Sequence, residues 1–94
     1  YPRLAIILSH GGGALPQLVG RLQHGYEVRP ESGAQPTGPL EAIRSLYFDT
    51  IVFDPAALRH LVAVAGASQV VLGTDYPFDM GEPDPVAFVR SAGL

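Results

Sequence analysis

The sequence predicts an α/β fold of three βα units with parallel strands, on three observations. Apolar runs suited to strands alternate with apolar residues at helical spacing. Their order is strand, helix, strand, helix, strand, helix, the signature of a parallel sheet with right-handed crossovers. The strands are apolar on both faces, as parallel strands covered above and below must be. Consecutive crossovers of one hand put all the helices on one side, so the other face has no partner within these 94 residues. A closed TIM (β/α)₈ barrel buries that face in its interior, and such barrels take ~250 residues. Residues 1–94 are therefore expected to form the C-terminal third of a barrel and not a complete domain. A small doubly wound domain is the alternative, but it needs helices that the sequence does not show.

Each element has a local reason. Residues 4–9 (Leu-Ala-Ile-Ile-Leu-Ser) read as the first strand, which stops at His10 where Gly11–Gly13 begin a turn. From Ala14 to about His24, Leu15, Leu18, Val19 and Leu22 recur at helical spacing, with Pro16 tolerated in the first turn. Tyr26 to Gly38, containing Pro30, Gly33 and Pro36, reads as a loop long enough to serve a site. A short helix follows from about Pro39 to Arg44. Residues 46–53 are rich in aromatic and β-branched types and suit a second strand ending near Asp49. Asp54-Pro55 opens a helix, because Asp accepts free amide hydrogens at the N-cap and Pro at the first helical position loses no bond. Leu58, Leu61, Val62 and Ala65 form its apolar stripe, and Gly66 ends it. Residues 69–73 make the third strand and run into Thr74–Phe78. Asp84-Pro85 repeats the cap-then-proline device for a last helix through Val86, Phe88 and Val89.

Composition removes several functional classes. The unbroken apolar run Leu4–Leu8 is far short of the ~20 residues of a membrane helix, and no other run is longer. No basic segment precedes it to mark a signal peptide, and the expected location is cytoplasmic. With no Cys there is no disulfide framework or thiol nucleophile, so a metal would rest on His, Asp or Glu. Net charge is −3 and the six cations, all Arg, are scattered, which leaves no basic patch for a nucleic-acid backbone.

Three polar residues, His10, Asp49 and Asp75, lie at or near the C-terminal ends of successive strands, where barrel active sites assemble. His10 reads either as an acid/base or as a strand-end histidine bonded to backbone. A carboxylate after a buried strand, such as Asp75, needs a cation or donors to offset its desolvation. Asp49 reads as structural. The Gly11-Gly12-Gly13 triplet has neither the Gly-Lys-Ser/Thr ending of a phosphate loop nor dinucleotide spacing. It fits a close backbone approach or positive φ. Ser9 cannot serve His10 as a nucleophile, since strand neighbours point to opposite faces.

The string His10-Gly11-Gly12-Gly13-Ala14-Leu15-Pro16, with Val19-Gly20-Arg21, His24-Gly25 and Arg29-Pro30, resembles the metal-dependent decarboxylase branch of the amidohydrolase superfamily. Within that branch it is most similar to the 2-amino-3-carboxymuconate-6-semialdehyde decarboxylase family. The similarity resumes at Tyr47, Asp49 and Asp54-Pro55, and again at Leu72 through Phe78 with Gly81-Glu82. The resemblance implies that Asp75 binds the catalytic divalent metal, usually zinc, and that His10 acts as acid/base beside the metal-bound water. It implies that Arg21 reaches into a neighbouring protomer's site in a homodimer to hold a substrate carboxylate, and that Phe78 lines the substrate pocket. Without it, Arg21 reads as a solvated helix charge. The family's His-x-His pair and a further histidine are not in this chain, and neither His24 nor His60 replaces them. The expected activity of the intact protein is decarboxylation of a small unsaturated carboxylic acid. Hydrolysis or hydration on the same scaffold is one rival, and a catalytically silent fragment with an exposed sheet face is another.

Overall fold

The structure, a computed structural model, describes residues 1–29, 31 and 35–94. Three short strands, β1 (Ile7–Leu8), β2 (Tyr47–Asp49) and β3 (Val70–Val71), form one parallel sheet in the order β1-β2-β3. Helices α1 (Leu15–Val28), α2 (Pro39–Ile43), α3 (Pro55–Ala65) and α4 (Pro85–Ser91) complete the chain. The α/β class, the element order and the parallel pairing are those expected from the sequence.

Register decides which side chains meet the helices. Leu8, Phe48 and Val70 are paired across the sheet, and all three pack with Leu58 and Leu61 of α3 in one core. Phe48, Leu58 and Leu61 are its fully buried members. The alternate residue Ile7 points away from this layer and stays 60% exposed.

Both predicted caps are present. The Asp54 side chain accepts from the Ala56 amide at 3.0 Å, and that of Asp84 accepts from the Ala87 amide at 3.0 Å, each followed by Pro at the start of its helix. Gly66 ends α3 with φ 92°.

Three expectations need correction. The strands are shorter than the apolar runs that mark them. In β2 the reason is local: the Asp49 carboxylate accepts from the Ile51 amide at 3.0 Å, and this side-chain bond turns the chain out of the ladder. Helix α1 runs on to Val28, through the Tyr26–Val28 stretch expected to be loop. A Gln23–Glu27 side-chain bond of 3.1 Å, four residues apart, spans Gly25 and holds that extra turn. The loop expectations at Pro30 and Gly33 lie outside the described residues. Finally, the four apolar residues of α1 divide between two faces. Leu15 and Val19 pack on the core, whereas Leu18 and Leu22 remain more than 40% exposed. Among the described residues no helix is long and apolar enough to cross a membrane.

Candidate active site at the strand ends

Parallel strands deliver the residues that follow them to one edge of the sheet. His10 follows β1 by two positions and Asp75 follows β3 by four, and β2 lies between. The structure brings these two residues together: His10 Nε2 lies 3.7 Å from an Asp75 carboxylate oxygen. The separation is too long for a direct hydrogen bond, so neither head satisfies the other and both are open to a third group. The His10 side chain is 64% exposed and that of Asp75 27%.

Both backbones are unusual. His10 has φ 56° and Asp75 φ 58°, in the left-handed region that side chains seldom occupy. Such conformations cost about 1–3 kcal/mol each and collect at functional sites, where the surrounding structure holds them. At His10 the support is visible. The Gly11 amide donates to the Asp49 carboxylate of β2 at 2.9 Å, while Gly12 and Gly13 hydrogen-bond back to Ser9 and His10 carbonyls at 3.0 Å. Gly11 and Gly12 also have positive φ, and a Cβ on them would collide with Val52 and with the Phe48 ring respectively. The glycine triplet is therefore a packing device that lets the His10 turn sit down on the core.

At Asp75 the turn is closed by its own backbone. The Phe78 amide donates to the Asp75 carbonyl at 3.0 Å, and the Glu82 amide to the Thr74 carbonyl at 2.7 Å. Phe78 thus sits on the Asp75 turn with its side chain 69% exposed. Arg21 is elsewhere. It lines a groove of about 760 Å³ along the second half of α1, with Leu18, Leu22, His24, Tyr26 and Arg29. His60 Nε2 lies 3.3 Å from the Pro16 carbonyl and ties α3 to the start of α1, a structural contact.

The chain carries a comparison on nearly its whole length. The sequence pattern of the family described as Amidohydrolase matches residues 1–93. The chain belongs to the amidohydrolase family. This amidohydrolase chain is 41% identical over 92 residues to a 2-amino-3-carboxymuconate-6-semialdehyde decarboxylase of Dictyostelium discoideum, covering 96% of the chain and 26% of the relative. It is 44% identical over 84 residues to the enzyme of that name from Caenorhabditis elegans, covering 87% and 21%. Among solved structures it superimposes on 5-carboxyvanillate decarboxylase LigW from Sphingomonas paucimobilis with a TM-score of 0.79 at 33% identity, over 100% of the chain and 29% of that protein. The chain thus spans about a quarter of the length of the curated relatives it matches.

A metal can be tested against the donors present. Asp75 offers a carboxylate that is mostly buried and has an oxygen near His10 without a hydrogen bond to it, which fits one oxygen ligand of a divalent cation. Among the described residues no three His, Asp or Glu side chains cluster closely enough to hold an ion. Asp75 and His10 by themselves are thus too few donors for a metal site among the described residues.

Sequence reasoning singled out His10 and Asp75 and set Asp49 aside as structural, and it passed over Thr50. The structure gives Asp49, the last residue of β2, and Thr50, the residue after it, each a bond to a neighbouring strand's outgoing segment. An Asp closing a strand beside a facing Gly-rich turn was the available signal for the first. Thr50 offered none.

Proposed function

We propose that the intact protein is a metal-dependent, non-hydrolytic carboxy-lyase acting on a small unsaturated carboxylic acid such as 2-amino-3-carboxymuconate 6-semialdehyde. In this reading residues 1–94 are the C-terminal third of a (β/α)₈ barrel, whose interior covers the Ile7 face of the sheet. The observation that carries the reading is the His10–Asp75 pair, 3.7 Å apart at the C-terminal ends of parallel strands, in a chain whose named relatives are decarboxylases.

Asp75 would hold the divalent cation, zinc in our reading. When bound, such a cation supplies positive charge that polarises substrate oxygen and lowers the pKa of coordinated water. The chain's own residues do the rest. The His10 side chain is 64% exposed with Nε2 beside Asp75, where it delivers or removes a proton. In decarboxylation the bond between the α carbon and the carboxylate breaks and carbon dioxide departs. The electron pair stays on the α carbon, and the proton held by His10 fills that position. Phe78, exposed on the turn that carries Asp75, supplies an apolar wall. Arg21 is suited to a carboxylate by its planar, bidentate guanidinium. In our reading it serves the site of a second protomer, and the groove on α1 with the uncovered Leu18 and Leu22 beside it supports this by offering that protomer an apolar surface to cover.

The direct test is product analysis with the full-length protein. Release of carbon dioxide from 2-amino-3-carboxymuconate 6-semialdehyde, with loss of one carboxylate and no uptake of water, is the expected result. Uptake of water without carbon dioxide would make the protein a hydrolase or hydratase on the same scaffold.

A further inference from the structure

The last residue of the central strand and the residue after it are both polar and reach towards different neighbouring strands. Asp49 accepts from the Gly11 amide at 2.9 Å, and Gly11 is the residue after His10. Thr50, the one buried polar residue among the described residues at 5% exposure, accepts through Oγ1 from the Gly73 amide at 3.1 Å, two residues before Asp75. The second tie also brings β3's outgoing segment hard against the first. A Cβ on Gly73 would lie 3.1 Å from the Asp49 Cβ, so the missing side chain there lets this segment close on the Asp49 side chain.

We propose that Asp49 and Thr50 are positioning residues that together set the separation of His10 and Asp75. This rests on the reading of that pair as the reaction centre. Neither residue needs to touch substrate. His10 and Asp75 both hold left-handed backbones, and a residue in that region relaxes to a commoner conformation once its constraints are removed. The Asp49 bond to Gly11 is a constraint immediately after His10, and the Thr50 bond to Gly73 is one just before Asp75. Because both arise from adjacent residues at the C-terminal end of β2, its last residue and the one after it, the two catalytic turns are referenced to a single point and not to each other. That arrangement explains how His10 and Asp75 stay close with no hydrogen bond between them. It also explains why a carboxylate at a strand end, buried only in part, is committed to two backbone amides through one oxygen.

The test uses the full-length, metal-loaded protein and two substitution pairs, each with a conservative partner. Asp49→Ala removes the acceptor, whereas Asp49→Asn retains a side-chain oxygen for the same two amides. Thr50→Val removes the hydroxyl at equal volume, and Thr50→Ser restores it. A displacement near 1 Å at a reacting group costs ~100-fold in rate. The expected result is a kcat loss of about 10- to 100-fold for Asp49→Ala and a smaller loss for Thr50→Val, with KM changed by less than about threefold. Asn and Ser should recover most of it. Crystal structures of the Ala and Val variants should show the His10–Asp75 separation moved away from 3.7 Å. If Asp49→Ala does not fold, the Thr50 pair and the Asp49→Asn variant carry the test. The proposal is overturned if Thr50→Val equals wild type in kcat and in that separation, or if Asp49→Asn loses as much as a charge-removing change at the reaction centre would. Should the wild-type protein release no carbon dioxide, the reaction assignment fails, and the crystallographic separation still decides whether the two residues position the pair.

Discussion

The two faces of the three-stranded sheet are built from similar side chains and finish differently. Towards the helices, Leu8, Phe48 and Val70 interlock with α3, and Phe48 is fully buried. On the other side Ile7 is 60% exposed. The difference separates two kinds of consequence. On the helix side a substitution changes packing and is read in stability. At the rim where His10 and Asp75 meet, a substitution changes a small amount of burial and is read in turnover.

The largest expected effect tests the rim. In the full-length protein Asp75→Ala should lose bound metal and activity together, whereas His10→Ala should keep its metal and lose turnover by ~10²- to 10⁴-fold, the usual range for a general acid or base. Elemental analysis beside a carbon dioxide assay separates the two. An Asp75→Ala protein with full metal content would remove Asp75 from the ligand set and collapse the distinction between the two roles.

Next in size is the uncovered face itself. Each large apolar side chain left in water forgoes ~1.5–3 kcal/mol of burial, against a typical domain stability of ~5–15 kcal/mol. Ile7 on this face, with Leu4 and Leu72 also more than half exposed elsewhere in the segment, consumes a large part of that margin. The 94-residue segment expressed by itself is therefore expected to self-associate, or to show no cooperative thermal transition as a dilute monomer. A sharp, concentration-independent melt would show that the helical side suffices.

The helix side gives the contrasting outcome. Leu58→Ala, at a fully buried position in α3, should destabilise the full-length protein by ~2–5 kcal/mol through lost burial and a residual cavity. Below its melting transition the variant should keep kcat within about twofold, because Leu58 belongs to the core and not to the rim. Denaturant unfolding and steady-state kinetics on one preparation check both halves, and a large kcat loss in a folded variant would blur the division between the two faces.

How much of this was legible depends on the range of the interaction. The Asp54-Pro55 and Asp84-Pro85 caps are local chemistry, complete within four residues, and both helices start there. The parallel order follows from alternation along the chain. The end of β2 near Asp49 was readable as a change of residue type, but its cause, a side-chain bond to the Ile51 amide, was not. The first helix was expected to end at about His24 and runs on to Val28, where the Gln23–Glu27 pair bridges Gly25. Leu18 and Leu22 sit at helical spacing with Leu15, yet spacing alone does not say which of two adjacent faces has a partner. At the site, His10 and Asp75 were visible as strand-end polar residues. Their left-handed backbones, and the tie from Asp49 to Gly11 across 38 residues of sequence, exist only once the strands are side by side.

Arg21 offers the finest test, because it belongs to neither face. It lies on α1 beside exposed Leu18 and Leu22, along a groove, while the His10–Asp75 pair sits at the strand ends where α1 has not yet begun. Arg21 follows His10 by eleven positions, and α1 advances ~1.5 Å per residue away from that edge. In the proposed reading its guanidinium therefore meets a substrate carboxylate in a neighbouring protomer and not in its own. Arg21→Ala and His10→Ala proteins should each be nearly inactive alone. Mixed dimers would contain one site in which the His10 of one protomer meets the Arg21 of the other, so equal mixing should restore about a quarter of wild-type activity if subunits pair at random. Activity that stays at the level of the separate variants, with subunit exchange demonstrated by native mass spectrometry, would return Arg21 to its own protomer or to a purely solvated role. The dimer would then lose its part in catalysis, and the groove on α1 would have to be explained by packing alone.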